Sequence, residues 1–409
     1  SSVDTKIEKI VGQKTLKKLF TTKTFADILQ DEGWKNKYDK EESLVLLFSR
    51  DLIYDTLNYV EVYQQLMIKV LTEKGAKDWT EYDFSFLGNL NTVKAVKPNG
   101  AEIVPDKRGG YVVFKNLEPG DIIQIDGTYK WRQRTELDNE ISHVHYISFD
   151  APIYYTKFEV AVPEGRYLKH LRYKLDDNVK KESRNGYDFY KWEYNNIQKI
   201  QNEDAVPDNI DLFASVQISS MRDWTKLVEW YDMTTYRKLE MTYEVKEALD
   251  SIITPTMTKK EQVVALYNYI TKEIKYSYVS FLQSGYVPKD PGLTLSAKIG
   301  DCKDVSTLMI TMLRQLGIES YYTLVKTNAF NHQEMLPSLY FDHVVVCVII
   351  DGAKTYYDLT TDFYPHYVLT ENDYNAFALI VKEGENDIFR LPNDILDPGK
   401  NKVVYETKS

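Results

Sequence analysis

The sequence predicts an α+β chain in which an N-terminal antiparallel β-sandwich precedes a unit of helices followed by an antiparallel sheet. Three observations carry this. Turn signals recur at short spacing through the first half, the apolar period lengthens from two to nearly four residues near Met221, and strand-like runs return after Gly317. At 409 residues the chain also exceeds what one hydrophobic core ordinarily supports, so at least two domains are expected.

Residues 5–35 mix apolar and charged side chains at roughly helical spacing (Ile7, Ile10, Val11, Leu16, Leu19, Phe20), which predicts a helical lead-in over residues 1–40. The period then changes. Val60, Val62, Leu66, Ile68 and Val70 alternate with Glu61, Gln65 and Lys69, the pattern of a half-buried strand. Pro98-Asn99-Gly100, Gly109-Gly110, Pro119-Gly120 and Asn185-Gly186 separate apolar or aromatic runs at 111–114, 122–125, 153–162 and 187–194. Closely spaced strands with such turns place the β-sandwich over residues 41–220.

Residues 221–250 have helical spacing, broken by Thr254-Pro255. Thr258 with Glu261 forms a candidate capping box, opening a helix whose apolar stripe is Val263, Leu266, Tyr267, Ile270 and Ile274. After a loop rich in Gly and Pro, a second helix is expected from Cys302 to Leu316. Its buried face would be Val305, Leu308, Met309, Met312, Leu313 and Leu316, with Gly317 as its C-terminal cap. Strands are expected at 321–325, 343–350 and 355–359, so the second domain spans 221–390 and residues 391–409 form a tail.

The bulk numbers exclude several function classes. The formal charge is −10 with no dense Lys/Arg run, which argues against binding a nucleic-acid backbone. No stretch approaches the roughly 18 continuous apolar residues of a membrane helix. The start, Ser1-Ser2-Val3-Asp4, lacks the basic and apolar regions of a signal peptide. Export to the periplasm or cell surface is expected, with the leader absent from this chain and the cytoplasm left open. The 32 tyrosines suit half-buried sheet surfaces, with a carbohydrate- or peptide-stacking face as the alternative. Two cysteines, Cys302 and Cys347, are too few for a disulfide scaffold, and no CxxC pair suggests structural zinc.

The chemistry concentrates at Gly300-Asp301-Cys302-Lys303-Asp304, where the second helix begins. A helix start offers unpaired N–H groups and positive dipole charge to a thiolate, and Asp301 suits the N-cap. Asp301 and Asp304 oppose that anion by like charge, so a histidine partner is needed. Taken alone, a cysteine here also fits a small buried core residue. His343 shifts the balance. It opens the run His343-Val344-Val345-Val346-Cys347-Val348-Ile349-Ile350, and Asp351-Gly352 after it is a strong hairpin signal. A two-residue turn pairs Ile350 with Ala353. Carried back, that register sets His343 opposite Thr360 and makes Asp358 its diagonal neighbour on one sheet face. An aspartate there would hold the tautomer of the ring and stabilise its imidazolium. A strand-edge histidine and a turn carboxylate are the plainer alternatives. His143-Val144-His145 could grip a metal from one strand face, but no third ligand is in view, and His170, His332 and His366 carry no pattern. Cys347, at two-residue steps from His343, is either packed near the site or bridged to Cys302, which would silence the nucleophile.

These residues resemble a known family. The run from Phe281-Leu282-Gln283-Ser284-Gly285 through Pro288 and Thr294-Leu295 to Gly300-Asp301-Cys302-Lys303-Asp304 and Leu308 is similar to the core motif of bacterial transglutaminase-like proteins, whose fold is papain-like. His343 followed by valines, then Tyr357-Asp358-Leu359-Thr360, resembles that family's histidine and aspartate strands. Over residues 38–235, the segments 66–75, 93–100 and 117–120 are similar to the β-rich domain of unknown function that often precedes it in bacterial envelope proteins. The resemblance implies Cys302 as nucleophile, His343 as general base and then acid, Asp358 as orienting residue and Gln283 as a side-chain oxyanion donor, with no metal or cofactor. It implies acyl transfer from amides of a protein or peptide through a thioester, ending in hydrolysis or transamidation. A non-catalytic binding module on the same fold is the rival, and oligomeric state is left open.

Overall fold

The computed structural model describes residues 19–55, 59–84, 88–132, 137, 140–200, 208–277, 285–329 and 334–392. The chain divides into two compact units, one of residues 1–139, 144–206 and 213–220, the other of residues 140–143, 207–212 and 221–409.

In the first unit the helix α1 (Phe25–Gln30) opens with a complete capping box between Thr24 and Asp27. It is shorter than the predicted lead-in, much of which lies outside the described residues. The strands are β1 (Ser43–Tyr54), β2 (Tyr59–Val70), β3 (Glu81–Asp83), β4 (Asn89–Val96), β5 (Glu102–Ile103), β6 (Asp106–Arg108) and β7 (Tyr111–Val113). They continue as β8 (Ile122–Arg132), β9 (Ser142–Ile147), β10 (Ile153–Pro163), β11 (Lys169–Tyr173), β12 (Lys180–Arg184), β13 (Tyr187–Ile197) and β14 (Ala214–Ser219), with α2 (Glu73–Asp78) after β2. Eight of them form one sheet in the order β12-β13-β10-β1-β2-β8-β4-β5, beside three-stranded sheets β11-β14-β9 and β3-β7-β6. Asn185 and Gly186 have positive φ, as the tight β12–β13 turn requires.

The unit is β-rich as expected, with two differences. β1 and β10 pair in parallel, from Val45 opposite Ile153 to Ile53 opposite Ala161. Turn signals report only hairpins, and a parallel pair is joined by a long connection that leaves no local mark. The strand β2 is also buried almost throughout rather than on alternate residues, because it lies between β1 and β8 in the middle of the sheet.

The parallel pairing sets Asp51 opposite Glu159. Two buried acids side by side demand a cation, and Lys157 supplies it: its Nζ lies 2.8 Å from Asp51 Oδ1 and 3.1 Å from Glu159 Oε2. The same ammonium donates to Thr22 Oγ1 at 2.8 Å, so the cluster also holds the segment that enters the sheet.

In the second unit α3 (Asn209–Leu212), α4 (Thr225–Tyr236), α5 (Tyr243–Ile252) and α6 (Lys259–Glu273) come first. The predicted helix at 221–250 is thus two helices, the second with Thr242 as its N-cap. The predicted Thr258–Glu261 capping box opens α6. Next come β15 (Lys275–Tyr276), α7 (Pro291–Ala297), β16 (Ile299–Gly300) and α8 (Cys302–Gln315), then β17 (Glu319–Lys326), β18 (His343–Ile350), β19 (Ala353–Tyr357), β20 (Phe377–Ile380) and β21 (Phe389–Arg390). The last five form one antiparallel sheet, β19-β18-β17-β20-β21, and α8 packs along β17 and β18. Nearly the whole of α8 is buried, and Thr307 on it shares a 2.9 Å hydrogen bond with Tyr322 of β17.

Lys157→Ala leaves the buried Asp51 carboxylate without a cation, while Glu159 keeps Arg184 at 3.2 Å, and is expected to cost about 3–5 kcal/mol. Burial already pushes Asp51 up to about 6 despite Lys157. A carboxyl raised in the folded state is a burden that grows as pH rises and disappears on protonation. The loss should therefore be larger near pH 8 than near pH 5, read from urea midpoints at the two pH values.

Candidate active site

The seat of Cys302 is built by its neighbours in sequence. Asp301 leaves the helix with extended backbone, its side chain accepts from Asp304 N at 3.2 Å, and Asp304 returns the bond by accepting from Asp301 N at 3.3 Å. This reciprocal cap fixes the start of α8 one residue ahead of the thiol. Gly300 is required by space: a Cβ there would sit 2.9 Å from Asp304 Cβ and 3.0 Å from Thr294 Cγ2. The parallel pair β15–β16 sets Tyr276 opposite Gly300, and Ser277 N donates to Gly300 O at 2.8 Å.

The two acids beside the thiol do not act as free charges. Asp304 accepts from Lys289 N at 2.8 Å and from Lys289 Nζ at 2.9 Å. Asp301 is paired with the buried Lys303 ammonium. The like-charge objection raised by the sequence is thus met locally, and a developing thiolate meets neutralised carboxylates at a helix N-terminus.

His343 opens β18 directly after Asp342, whose carboxylate accepts from Thr327 N at 2.8 Å and pairs with Lys326 Nζ at 2.6 Å. Lys326 also reaches Asp208 at 2.7 Å, so the strand start is clamped. The β18–β19 register is the one that the Asp351-Gly352 turn dictates, from Ile350 opposite Ala353 to Val346 opposite Tyr357, with both turn residues at positive φ. One residue past that ladder, Asp358 presents Oδ2 to His343 Nε2 at 3.4 Å, while its Oδ1 accepts from Thr360 N at 2.9 Å and Thr360 Oγ1 at 2.8 Å. The Cys302 side chain lies close enough to the ring to favour its protonated form. With Nε2 turned to the carboxylates, Nδ1 is the nitrogen left for sulfur. The structure therefore brings Cys302, His343 and Asp358 together. Gln283 lies outside the described residues, as does His332.

Burial alone would lower the pKa of His343, but the charges of Asp358 and Asp373 outweigh it and hold the imidazolium well above the ordinary histidine range. Burial would raise Asp358, and the facing imidazolium with the Thr360 hydrogen bonds reverses that and holds its carboxyl below the usual range. Asp373, from the short 3-10 turn Glu371–Asp373, is the residue the sequence reading missed: its Oδ1 lies 4.0 Å from His343 Nε2. No periodicity could have found it, since the turn sits in an irregular stretch after β19.

Tyr276 is the other addition. It is near enough to Cys302, His343 and Asp358 for their charges to act on its phenol, which burial keeps protonated well above the ordinary tyrosine value. Cys347 is free, as is Cys302, so the two are not bridged. Its thiol is fully buried and pushed up to about 12. Among the described residues, the donor atoms of His343, Asp358 and Asp373 converge within 4.8 Å of one another, close enough to span a metal ion. The imidazolium offsets part of the charge of the two acids, so the set acts as a braced imidazole. Among the described residues, His143 and His145 belong to no such group of three.

Comparisons with known proteins bear on the fold that carries this site. Residues 246–354 match the transglutaminase-like superfamily core, and residues 89–201 match the DUF3857 domain of unknown function known from a solved structure. A crystal structure from Parabacteroides distasonis, provisionally assigned as a protease, superposes with a TM-score of 0.63 at 16% identity, covering 86% of this chain and 72% of that one. That similarity shows the fold. A provisionally assigned cysteine protease from Cytophaga hutchinsonii scores 0.27 at 13% identity, covering 62% and 84%, and a TGase scores 0.22 at 14% identity, covering 53% and 55%. A search of curated proteins finds no match. No helix among the described residues is long and apolar enough to cross a membrane.

Gly300→Ala should cost about 1–3 kcal/mol by overpacking the helix start. It should also slow Cys302 alkylation, because Asp304 must move. A denaturation midpoint and a labelling rate check the two effects separately.

Proposed function

We propose that the second unit is a cysteine-dependent acyltransferase acting on amide bonds of a protein or peptide, with hydrolysis as the favoured outcome. The observation that carries the reading is the thiol at the start of α8 beside an imidazole whose Nε2 faces buried carboxylate at 3.4 Å. Asp358 makes it easy for His343 to accept the thiol proton, and the helix start favours the thiolate that remains.

In this mechanism Cys302 has already given its proton to His343, and the Sγ thiolate of that ion pair attacks the amide carbonyl. The tetrahedral oxyanion takes hydrogen bonds from the Cys302 backbone N–H and from the Tyr276 hydroxyl, which its neighbourhood keeps protonated. His343 then returns the proton to the departing amine and a thioester forms. Water, deprotonated by the now neutral ring, attacks the thioester and releases the acid. An amine attacking instead gives transamidation. Tyr276 is the side-chain oxyanion donor proposed from the described residues, alongside Gln283, which lies outside them.

Iodoacetamide labelling followed by mass spectrometry tests the nucleophile without a known substrate. Both thiols are buried, so the contrast rests on the proton acceptor: Cys302, beside His343, should label fast near pH 7, whereas Cys347, whose thiol burial pushes up to about 12, should not. Cys302→Ala should abolish fast labelling and amide cleavage of a fluorogenic peptide library, and Cys347→Ala should spare both. Equal labelling of the two thiols in the folded protein would defeat the assignment. Asp358→Asn should lower turnover by roughly 10²–10⁴-fold with little change in fold, because the ring loses the anion that fixes its tautomer. Tyr276→Phe should lower turnover by roughly 10²–10³-fold while leaving Cys302 labelling near its wild-type rate, as a lost oxyanion donor does.

A further inference from the structure

We propose that Asp373 is a positioning residue of this site, sharing one proton with Asp358 behind the His343 ring so that the imidazole faces a singly charged acid pair. The inference rests on the functional reading above and extends it to a residue outside the Cys-His-Asp trio.

The geometry is specific. Each carboxyl has one anchored oxygen and one oxygen aimed at the ring. Asp358 Oδ1 is held by Thr360, and Asp373 Oδ2 by Thr370 Oγ1 at 2.8 Å. The other two oxygens point at the same atom, His343 Nε2, from 3.4 and 4.0 Å, and all three atoms lie within 4.8 Å of one another. Both acids are buried, Asp373 completely. Nε2 has one hydrogen for two oxygens, and among the described residues both of those oxygens are buried without a hydrogen-bond partner. Two full negative charges at this separation, out of water, repel strongly, and the cheapest remedy is to keep a proton between them.

Which acid keeps the proton follows from its surroundings. Asp358 is nearer the ring and accepts from both the amide and the hydroxyl of Thr360, so it holds the charge. Asp373 is farther away and has one hydroxyl partner. Burial and the Asp358 charge push it well above the usual carboxylate range, so the shared proton rests on Asp373. The consequence concerns balance. One anion steadies the imidazolium during attack, yet the ring must also give its proton to the leaving amine and serve as a neutral base afterwards. A second anion would hold the proton on the ring and slow both later steps.

The titratable groups facing the pair are His343 from β18, Cys302 beyond the ring, Tyr267 from α6, Tyr276 from β15, and Tyr374 next in the chain. All three tyrosines are raised from the ordinary phenol value, so none titrates near neutrality. A change there reports the acids, the ring or the thiol.

The test is an NMR titration of the His343 ring proton and carbon in the full chain, assigned by its loss in His343→Gln, with Cys302 labelling by iodoacetamide alongside. The wild-type ring should show two inflections, one in the neutral range from the acid pair and a higher one from its own proton. Asp373→Asn keeps an N–H to donate to Asp358 but cannot ionise. Its curve should lose the lower inflection, and the upper one should fall by about one pH unit, with Cys302 labelling within about threefold of wild type near pH 7. Thr370→Val removes the hydroxyl that favours the Asp373 anion and should move the lower inflection upward. That variant decides the matter if Asp373→Asn does not fold. Unchanged ring curves in whichever of these variants folds would overturn the proposal, whatever Cys302 does. A slow wild-type Cys302 beside a ring that responds to Asp373→Asn would instead sink the enzymatic reading and leave the shared proton standing.

Discussion

The site depends on the register of one hairpin. Asp351-Gly352 turns β18 back on itself with both residues at positive φ, and the pairing that follows leaves Asp358 just beyond the last ladder partner and next to His343. Strand side chains alternate faces, so a slip of a single residue would carry the carboxylate to the other side of the sheet. The thiol is set with comparable strictness from another direction. A reciprocal Asp301–Asp304 cap determines where α8 begins, and Gly300 allows that turn to pack against Thr294. Two local devices, a tight turn and a helix cap, thus place three side chains that lie far apart in sequence.

Both units handle buried charge in the same manner. In the first, a parallel strand pair puts Asp51 beside Glu159, and Lys157 is drawn in between them. In the second, the acids flanking Cys302 are each paired with a lysine before any thiolate forms. Such pairs contribute little net stability, since desolvation offsets most of the attraction, but leaving one member alone is costly. Their effect near Cys302 is chemical. With Asp301 and Asp304 already matched by cations, the partial positive charge of the helix start is available to sulfur.

What the sequence made legible was local. Capping boxes, the Asp-Gly turn, the span of α8 from Cys302 and its Gly317 end each depend on residues within four positions of one another, and the helices and strands followed them closely. The hairpin register could be carried from the turn to His343 and Asp358 because antiparallel pairing is fixed once its turn length is known. The β1–β10 pairing is parallel and non-local, and the burial of β2 depends on neighbours supplied from elsewhere in the chain, so alternation misjudged it. The same limit applied to Tyr276 and Asp373. One sits on a two-residue strand and the other on a single 3-10 turn, both too short to leave a period.

Asp373 also shows why a buried cluster is poorly described by counting its members. An imidazole with one carboxylate is a familiar ion pair, and adding a second carboxylate looks like adding attraction. In a desolvated space the second acid interacts with the first as strongly as with the ring, so its protonation state is set by the pair rather than by the histidine. The anchors decide the division: two donors from Thr360 favour charge on Asp358, and a single hydroxyl from Thr370 leaves Asp373 the weaker acid. The net charge behind His343 is then governed by threonines that never touch the ring. An imidazole that must take a proton and release it within one turnover needs an anion strong enough for the first step and no stronger.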